Sequence, residues 1–269
     1  LPDMAAGCSM ADMAAIEQVE QCWDALGRVV PVEETVMPAV YVNSAAILKA
    51  FCGEHGGLTC TSSNARKVIE WSWARREKIL FFPDEHLGRN TANKMGIPRE
   101  QMIVWDPFMP RGGNSVEAIK RAKLILWKGH CSVHQMFQPS HVDYFRKQYP
   151  DVKVIVHPEC HEDVVNKADL VGSTEYIIRT ITAAPADTTW AVGTELNLVN
   201  RLKHEQTDKK VFFLSSTVCQ CATMYRIDAP HLCWALENLA DGHVVNRIIV
   251  PDDEKQWAKV ALDRMMALS

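Results

Sequence analysis

Val152-Lys153-Val154-Ile155-Val156 runs directly into His157-Pro158-Glu159-Cys160. A short β-branched run of this kind reads as a strand, and the polar residues after it read as its carboxyl end. The same grammar returns downstream. Residues 169–171 end in Gly172-Ser173-Thr174, residues 189–192 in Gly193-Thr194-Glu195, and residues 210–214 lead through Ser215-Ser216-Thr217-Val218 to Cys219-Gln220-Cys221. It is also present upstream. Residues 40–43 (Val-Tyr-Val-Asn), the strand end Thr59-Cys60-Thr61-Ser62-Ser63, residues 78–83 before Asp84-Glu85-His86-Leu87-Gly88, and residues 124–128 before Gly129-His130-Cys131 form a first set. Helical stretches separate the strands, at 45–51, 65–73 and 175–182 among others. Strands alternating with helices predict parallel sheets wrapped by helices. In each set strand one ends in a polar triplet and strand two in a Ser/Thr cluster. Strand three ends before a carboxylate and strand four before a cysteine. The sets therefore read as tandem copies of one unit. Open α/β sheets place ligands at the carboxyl ends of their strands. The first set carries an extra stretch, 96–116, whose Pro107, Pro110 and Arg111-Gly112-Gly113-Asn114 predict a surface loop.

Composition agrees with a well-cored α/β chain. Of 269 residues, 47% are hydrophobic and 23% charged. That length suits two domains or one large α/β unit. Lys+Arg number 29 against 33 Asp+Glu, a formal charge of −4, which leaves no global electrostatic footprint for nucleic acid. No apolar stretch approaches the roughly 18 residues that a membrane span needs. Leu1-Pro2-Asp3 lacks the basic start and apolar core of a signal peptide and has no initiator Met, so the chain is expected to begin inside a longer gene product. The expected location is cytoplasmic.

The nine cysteines are an odd number, at 8, 22, 52, 60, 131, 160, 219, 221 and 233. With no secretory segment, this points to reduced thiols and metal ligands rather than a disulfide framework. Gly7-Cys8 stands just before an amphipathic stretch at 13–25, and a thiol at a helix start is expected to favour thiolate. Comparable positions occur at Cys131 and Cys221. Three thiolates, one from each of three related units, would meet on a pseudo-threefold axis. Such soft ligands suit a [4Fe–4S] cluster or zinc, and three rather than four leave one position open for substrate.

Gly7-Cys8-Ser9-Met10-Ala11-Asp12-Met13, Tyr41-Val42-Asn43-Ser44-Ala45-Ala46, Cys60-Thr61-Ser62-Ser63-Asn64-Ala65 and Pro83-Asp84-Glu85-His86-Leu87-Gly88 resemble the quinolinate synthase family. So do Trp127-Lys128-Gly129-His130-Cys131-Ser132-Val133-His134, His157-Pro158-Glu159-Cys160, Gly172-Ser173-Thr174 and Cys221-Ala222-Thr223-Met224. The motifs run in order across essentially the whole chain. The resemblance implies three similar parallel-sheet α/β sandwich domains in pseudo-threefold arrangement around a central [4Fe–4S] cluster. It implies a transferase that condenses iminoaspartate with dihydroxyacetone phosphate to quinolinate, the pyridine precursor of NAD, with loss of phosphate and water. A functional link to an aspartate-oxidising enzyme would go with it.

Carried over motif by motif, the cluster ligands are Cys8, Cys131 and Cys221. At the third site the choice lies between Cys219 and Cys221. The family's ligand stands immediately before a short Pro/Ala-x-Met segment, which Cys221-Ala222-Thr223-Met224 matches, and Cys219 is then a neighbour and candidate redox partner. Cys22, Cys52, Cys60 and Cys233 fall within helical or strand periods and are expected in the core, while Cys160 is left out of the ligand set. Alternation puts His157 and Glu159 on one strand face, and likewise Tyr41 and Asn43. The resemblance makes Glu159 the proton shuttle, His157 a group that orients substrate and Tyr41 a candidate acid/base. Asn43 becomes a hydrogen-bond donor to a carboxylate or carbonyl. Both substrates are anionic, and hydroxyls before helix N-termini hold anions, a role that fits Ser62, Ser173 and Thr174. His134, three residues after Cys131, is expected one helical turn away and within reach of substrate.

The family has a further N-terminal segment, with a His-x-Tyr strand end and a Gly-Asp-Ser motif, that this sequence lacks. The expected organisation is therefore a remnant of the first domain at 1–30, with 240–269 as its candidate partner, a second domain at 31–130 and a third at 131–239. Two other classes share some of these features. An iron–sulfur hydro-lyase would use the open iron and the acid/base residues without a triose phosphate site. A non-catalytic thiol- or zinc-binding protein would use the cysteines without Glu159, Tyr41 and Asn43.

Overall fold

The structure, a computed structural model, describes residues 1–217 and 220–268. Its first sheet is built from Val36–Tyr41 (β1), Leu58–Cys60 (β2), Lys78–Phe82 (β3), Met102–Trp105 (β4) and Leu124–Trp127 (β5), in the order β2-β1-β3-β5-β4. The second is built from Lys153–Val156 (β6), Leu170–Val171 (β7), Thr189–Gly193 (β8) and Lys210–Phe213 (β9), in the order β7-β6-β8-β9. Every ladder in both sheets is parallel. The chain is thus α/β with parallel sheets, as its alternating pattern predicts. Setting β4 aside, the two sheets share one strand order, so the tandem reading of the sequence extends to topology.

The one addition falls where a surface loop was expected. Within 96–116, Met102–Trp105 pairs along β5, from Met102 opposite Leu124 to Trp105 opposite Trp127. This strand goes unread in the sequence, and the surface loop expected at Pro107, Pro110 and 111–114 follows directly after it. Four apolar residues between proline-rich flanks are too short for periodicity to distinguish from a buried turn. The Arg111-Gly112-Gly113 segment does turn back, with positive φ at all three residues. It packs so closely on Trp105 that a Cβ at Gly112 would sit 2.4 Å from the indole.

Strand alternation sorts the interior of the first sheet into two layers. Val36, Val40, Leu80, Phe82, Ile125 and Trp127 face the helices Ile16–Gly27, Ala46–Glu54 and Val116–Arg121. Met37, Ala39, Tyr41, Ile79, Phe81, Leu124 and Leu126 face the helices Ala65–Trp73 and Glu85–Lys94. Burial on both faces is why β1, β3 and β5 read as continuous apolar runs rather than alternating ones. The second sheet repeats the plan, with Val154 and Val156 on one side and Ile155 and Val192 on the other.

Both ends of the chain pack on the first sheet's unit. Trp23 meets Phe51 edge-on at 5.4 Å, and Trp127 donates its indole N–H to the Met13 carbonyl at 2.8 Å. The last helix, Asp252–Met266, crosses the helix Ala46–Glu54 at Gly53, and Arg264 donates to the carbonyls of Gly53 and Gly57 at 3.0 and 2.7 Å. The helix Ala229–Ala240, in contrast, buries none of its residues, so Cys233 is exposed rather than in the core as expected. Its apolar spacing is real, but Leu1, Pro2 and residues 244–248 border it without burying it.

A Cβ on Gly53 would lie 2.0 Å from the Trp257 carbonyl oxygen, so Gly53→Ala must push the two helices apart. Overpacking of this kind costs about 1–3 kcal/mol. The expected outcome is a clear drop in the urea midpoint, and an unchanged midpoint would show that the helices do not meet there.

Candidate active site

Parallel strands deliver their carboxyl ends to one edge, and the two sheets turn those edges toward each other. A cavity of about 370 Å³ lies between them. Tyr41 and Asn43 enter it from the end of β1, Cys131 and His134 from behind β5, and His157 and Glu159 from the end of β6. Thr174 enters from behind β7, Thr194 and Glu195 from behind β8, and Cys221 from the far side of β9. Cys8 closes the cavity from the N-terminal segment, which is tied to the Cys131 turn by Ser9 and Ser132, their hydroxyls 3.3 Å apart.

The cysteines divide sharply. Cys8, Cys131 and Cys221 are free, half-buried and in the cavity wall, whereas Cys22, Cys52, Cys60 and Cys160 are free and buried. Cys160 points its thiol at the Gly193 carbonyl, 3.6 Å away. Cys219 lies outside the described residues. The expected helix start at Cys8 is corrected: a single 3₁₀ turn, Ala11–Met13, follows it, and the α-helix begins only at Ile16. Burial pushes the Cys8 thiol up, against the opposing pull of the Ala11 and Met10 backbone. The unliganded thiol is therefore not poised as thiolate.

Among the polar groups, His134 and His157 stack with ring centroids 4.5 Å apart and planes at 16°. His134 Nδ1 lies 2.9 Å from Glu159 Oε2, off the axis of a hydrogen bond, and its Nε2 is 3.3 Å from the Thr194 hydroxyl. Glu159 Oε1 has no hydrogen-bond partner among the described residues. Burial penalises charge on Glu159, but the His157 and His134 imidazoles prevail and hold its carboxyl down at about 2. Burial also opposes charge on His134, yet the Cys131 thiol and the Glu159 carboxylate push it up to about 10. His157, with burial dominant, falls to about 4. Burial and the Glu159 charge drive Tyr41 well up, so its hydroxyl stays protonated. The site is thus a carboxylate, an imidazolium, a neutral imidazole and a phenol. Cys131, His134 and Glu159 also bring one ligand atom each within 4.8 Å of the others, a possible metal site.

Ser62 and Ser173 stand back from the cavity wall. Ser62 neighbours the Tyr41 hydroxyl, and Ser173 accepts from the Tyr176 N–H at 3.3 Å as the cap of the helix Thr174–Ala183. Sequence reading passed over Thr194 and Glu195. Their signal was the repeat itself, since Gly193-Thr194-Glu195 occupies the strand-three place that Asp84-Glu85 holds in the first copy.

The profile of the family described as Quinolinate synthetase A protein matches residues 1–267. The quinolinate synthase of Rhodopirellula baltica is 59% identical over 269 residues, 100% of this chain and 68% of that one. Those of Acidobacterium capsulatum and a Nocardioides species are 57% and 56% identical, again over 100% of this chain and over 72% and 70% of theirs. The chain belongs to the quinolinate synthase family. It is accordingly an enzyme of that family, and the resemblance read from its motifs is correct. Among the described residues, no helix is long and apolar enough to cross a membrane.

Two histidines of the quinolinate synthase motifs, His86 and His157, are buried. His86, like His157, is lowered by burial to about 4, below the roughly 6.5 of an unfolded chain. Between those values the unfolded state binds protons that the folded state refuses, so stability falls as pH drops from about 6.5 toward 4. Urea midpoints across this window should show that fall, and His86→Asn should make it shallower. An identical slope in the variant would remove His86 from the explanation.

Proposed function

We propose that this chain catalyses the condensation of iminoaspartate with dihydroxyacetone phosphate to quinolinate, with loss of phosphate and water. The observation that carries the reading is the meeting, in one cavity, of three free thiols and a set of proton-handling side chains. The soft donor set of Cys8, Cys131 and Cys221 fits a [4Fe–4S] cluster, and these residues would hold it. When bound, the cluster supplies a Lewis-acidic iron with one position open to substrate.

The rest of the chemistry belongs to the protein. Glu159, ionised and with Oε1 unpartnered, takes a proton from carbon or nitrogen as the C–C and C–N bonds form. Tyr41, held protonated across from it, donates to a leaving or developing oxygen. His134, 2.9 Å from the Glu159 carboxylate, is placed to donate to a substrate oxygen, while His157 orients substrate against the same face. Asn43 and Thr174 offer hydrogen bonds to carboxylate and phosphate, the latter from the N-terminus of a helix that favours negative charge. Ser62 and Ser173 support Tyr41 and that helix terminus. In this reading the two sheets are the second and third units of a pseudo-threefold assembly, with residues 1–30 belonging to the first. On this reading the enzyme is cytoplasmic and has a functional link to an aspartate-oxidising enzyme.

Anaerobic reconstitution of the full-length gene product with iron and sulfide tests the ligand set. Cys131→Ser should lose the visible absorbance band and Cys160→Ser should keep it. Zinc with no labile sulfide, held by Cys131, His134 and Glu159, would replace the cluster assignment by a single-ion site. Turnover is followed by the ultraviolet absorbance of the pyridine dicarboxylate. Glu159→Gln should retain iron and sulfide but turn over at least about a hundredfold more slowly, with a much smaller change in substrate binding. Near-normal turnover would move the acid/base role to Tyr41 or His157.

A further inference from the structure

We infer that Asn90 is a positioning residue whose side-chain amide clamps the loop that carries Glu159. Asn90 lies on the helix Glu85–Lys94, which belongs to the first sheet's unit, and is 1% exposed. Its Nδ2 donates to the Pro158 carbonyl and to the Cys160 carbonyl, each at 2.8 Å. The two acceptors flank Glu159 on either side. Of the two ends of the amide only the NH₂ can donate to carbonyls, so these partners fix its orientation. Asparagine is a poorer helix former than alanine, and its tertiary contacts account for its presence inside a helix.

The loop's other anchors lie within its own unit, where His157 N–H donates to the Gly193 carbonyl at 3.0 Å and the Cys160 thiol points at the same carbonyl from 3.6 Å. After β6 the chain turns through Cys160 N–H to the His157 carbonyl at 3.0 Å and through Glu159 N–H to His157 Nδ1 at 3.3 Å. Both of these bonds are internal to the turn. The clamp supplies the reference to the opposite unit, where Tyr41 and Cys131 stand. Further along the same helix, Asn93 donates to Glu162 at 2.8 Å and Lys94 to the Val171 carbonyl at 3.0 Å. These outer contacts dock the second unit, whereas Asn90 acts on the segment that ends in the carboxylate. Asn90 does not line the active-site cavity, so its effect reaches substrate only through Glu159. The inference therefore rests on the proton-moving role proposed for Glu159.

Asn90→Ala tests it, with Asn90→Ser as a milder variant that keeps one donor. A misplacement of about 1 Å costs on the order of a hundredfold in rate. The expected result for Asn90→Ala is a kcat lowered about 10- to 100-fold, with KM within about threefold of the parent. Asn90→Ser should fall between the two. Hydrogen exchange, measured without substrate, should speed up at the Glu159 and Cys160 amides while β1, β3 and β6 keep their protection. Unchanged exchange at those two amides would overturn the clamp, whatever the activity. Exchange raised throughout both sheets would also overturn it, by making Asn90 a general packing residue. Failure of the Glu159 reading would be recognised separately, as normal turnover in Glu159→Gln alongside the local exchange change in Asn90→Ala.

Discussion

Everything in this chain follows from parallel pairing. A parallel ladder cannot be closed by a two-residue hairpin, so each strand must be followed by a crossover that returns to the starting edge. The crossovers are helices, they cover both faces of each sheet, and the strands between them become apolar along their whole length. Polar chemistry is then confined to the strand ends. Because all strands in a sheet point the same way, those ends collect on one edge. With two such sheets facing each other, Tyr41, Cys131, Glu159 and Cys221 reach one cavity from widely separated parts of the chain.

Inside that cavity the charges are arranged so that few are left uncompensated. Glu159 is ionised at the bottom of a site where burial would otherwise neutralise it, and the neighbouring imidazoles make the difference. Stacked rings 4.5 Å apart do not both accept protons in so poorly solvated a place, so His134 takes the charge and His157 stays neutral. Asp84 sits behind them at the end of β3, where burial and the Glu159 charge push its carboxyl well up. The same burial thus acts on two neighbouring carboxyl groups with opposite outcomes, because only Glu159 faces the imidazoles closely enough to be pulled down.

Much of this was legible in the residues alone. The repeated strand endings gave the parallel units and the place of the site, because residue type and period recur together in both copies. The members least visible in the sequence are those whose role depends on a distant partner. Asn90 reads as an ordinary helix residue until the carbonyls of Pro158 and Cys160 are seen opposite it. The strand Met102–Trp105 is too short to carry a period, and its identity comes from β5 beside it. Cys8 misled in another way, since proximity to a helix in sequence says nothing of how deeply a thiol is buried. Cys233 has the spacing of a core residue on a helix that buries none of its residues.

The wide separation of the three cavity thiols has a consequence for synthesis. Cys8, Cys131 and Cys221 are drawn from near the start, the middle and near the end of the chain. A ribosome adding roughly 5–20 residues per second takes about 5–20 s to travel from Cys131 to Cys221. Throughout that interval the first two cysteines are already made while their third companion does not exist, and the walls behind β6 to β9 are still being added. The cavity is therefore a product of completed translation. Until then Cys8 and Cys131 form an open pair, exposed to any oxidant or stray soft metal that arrives first.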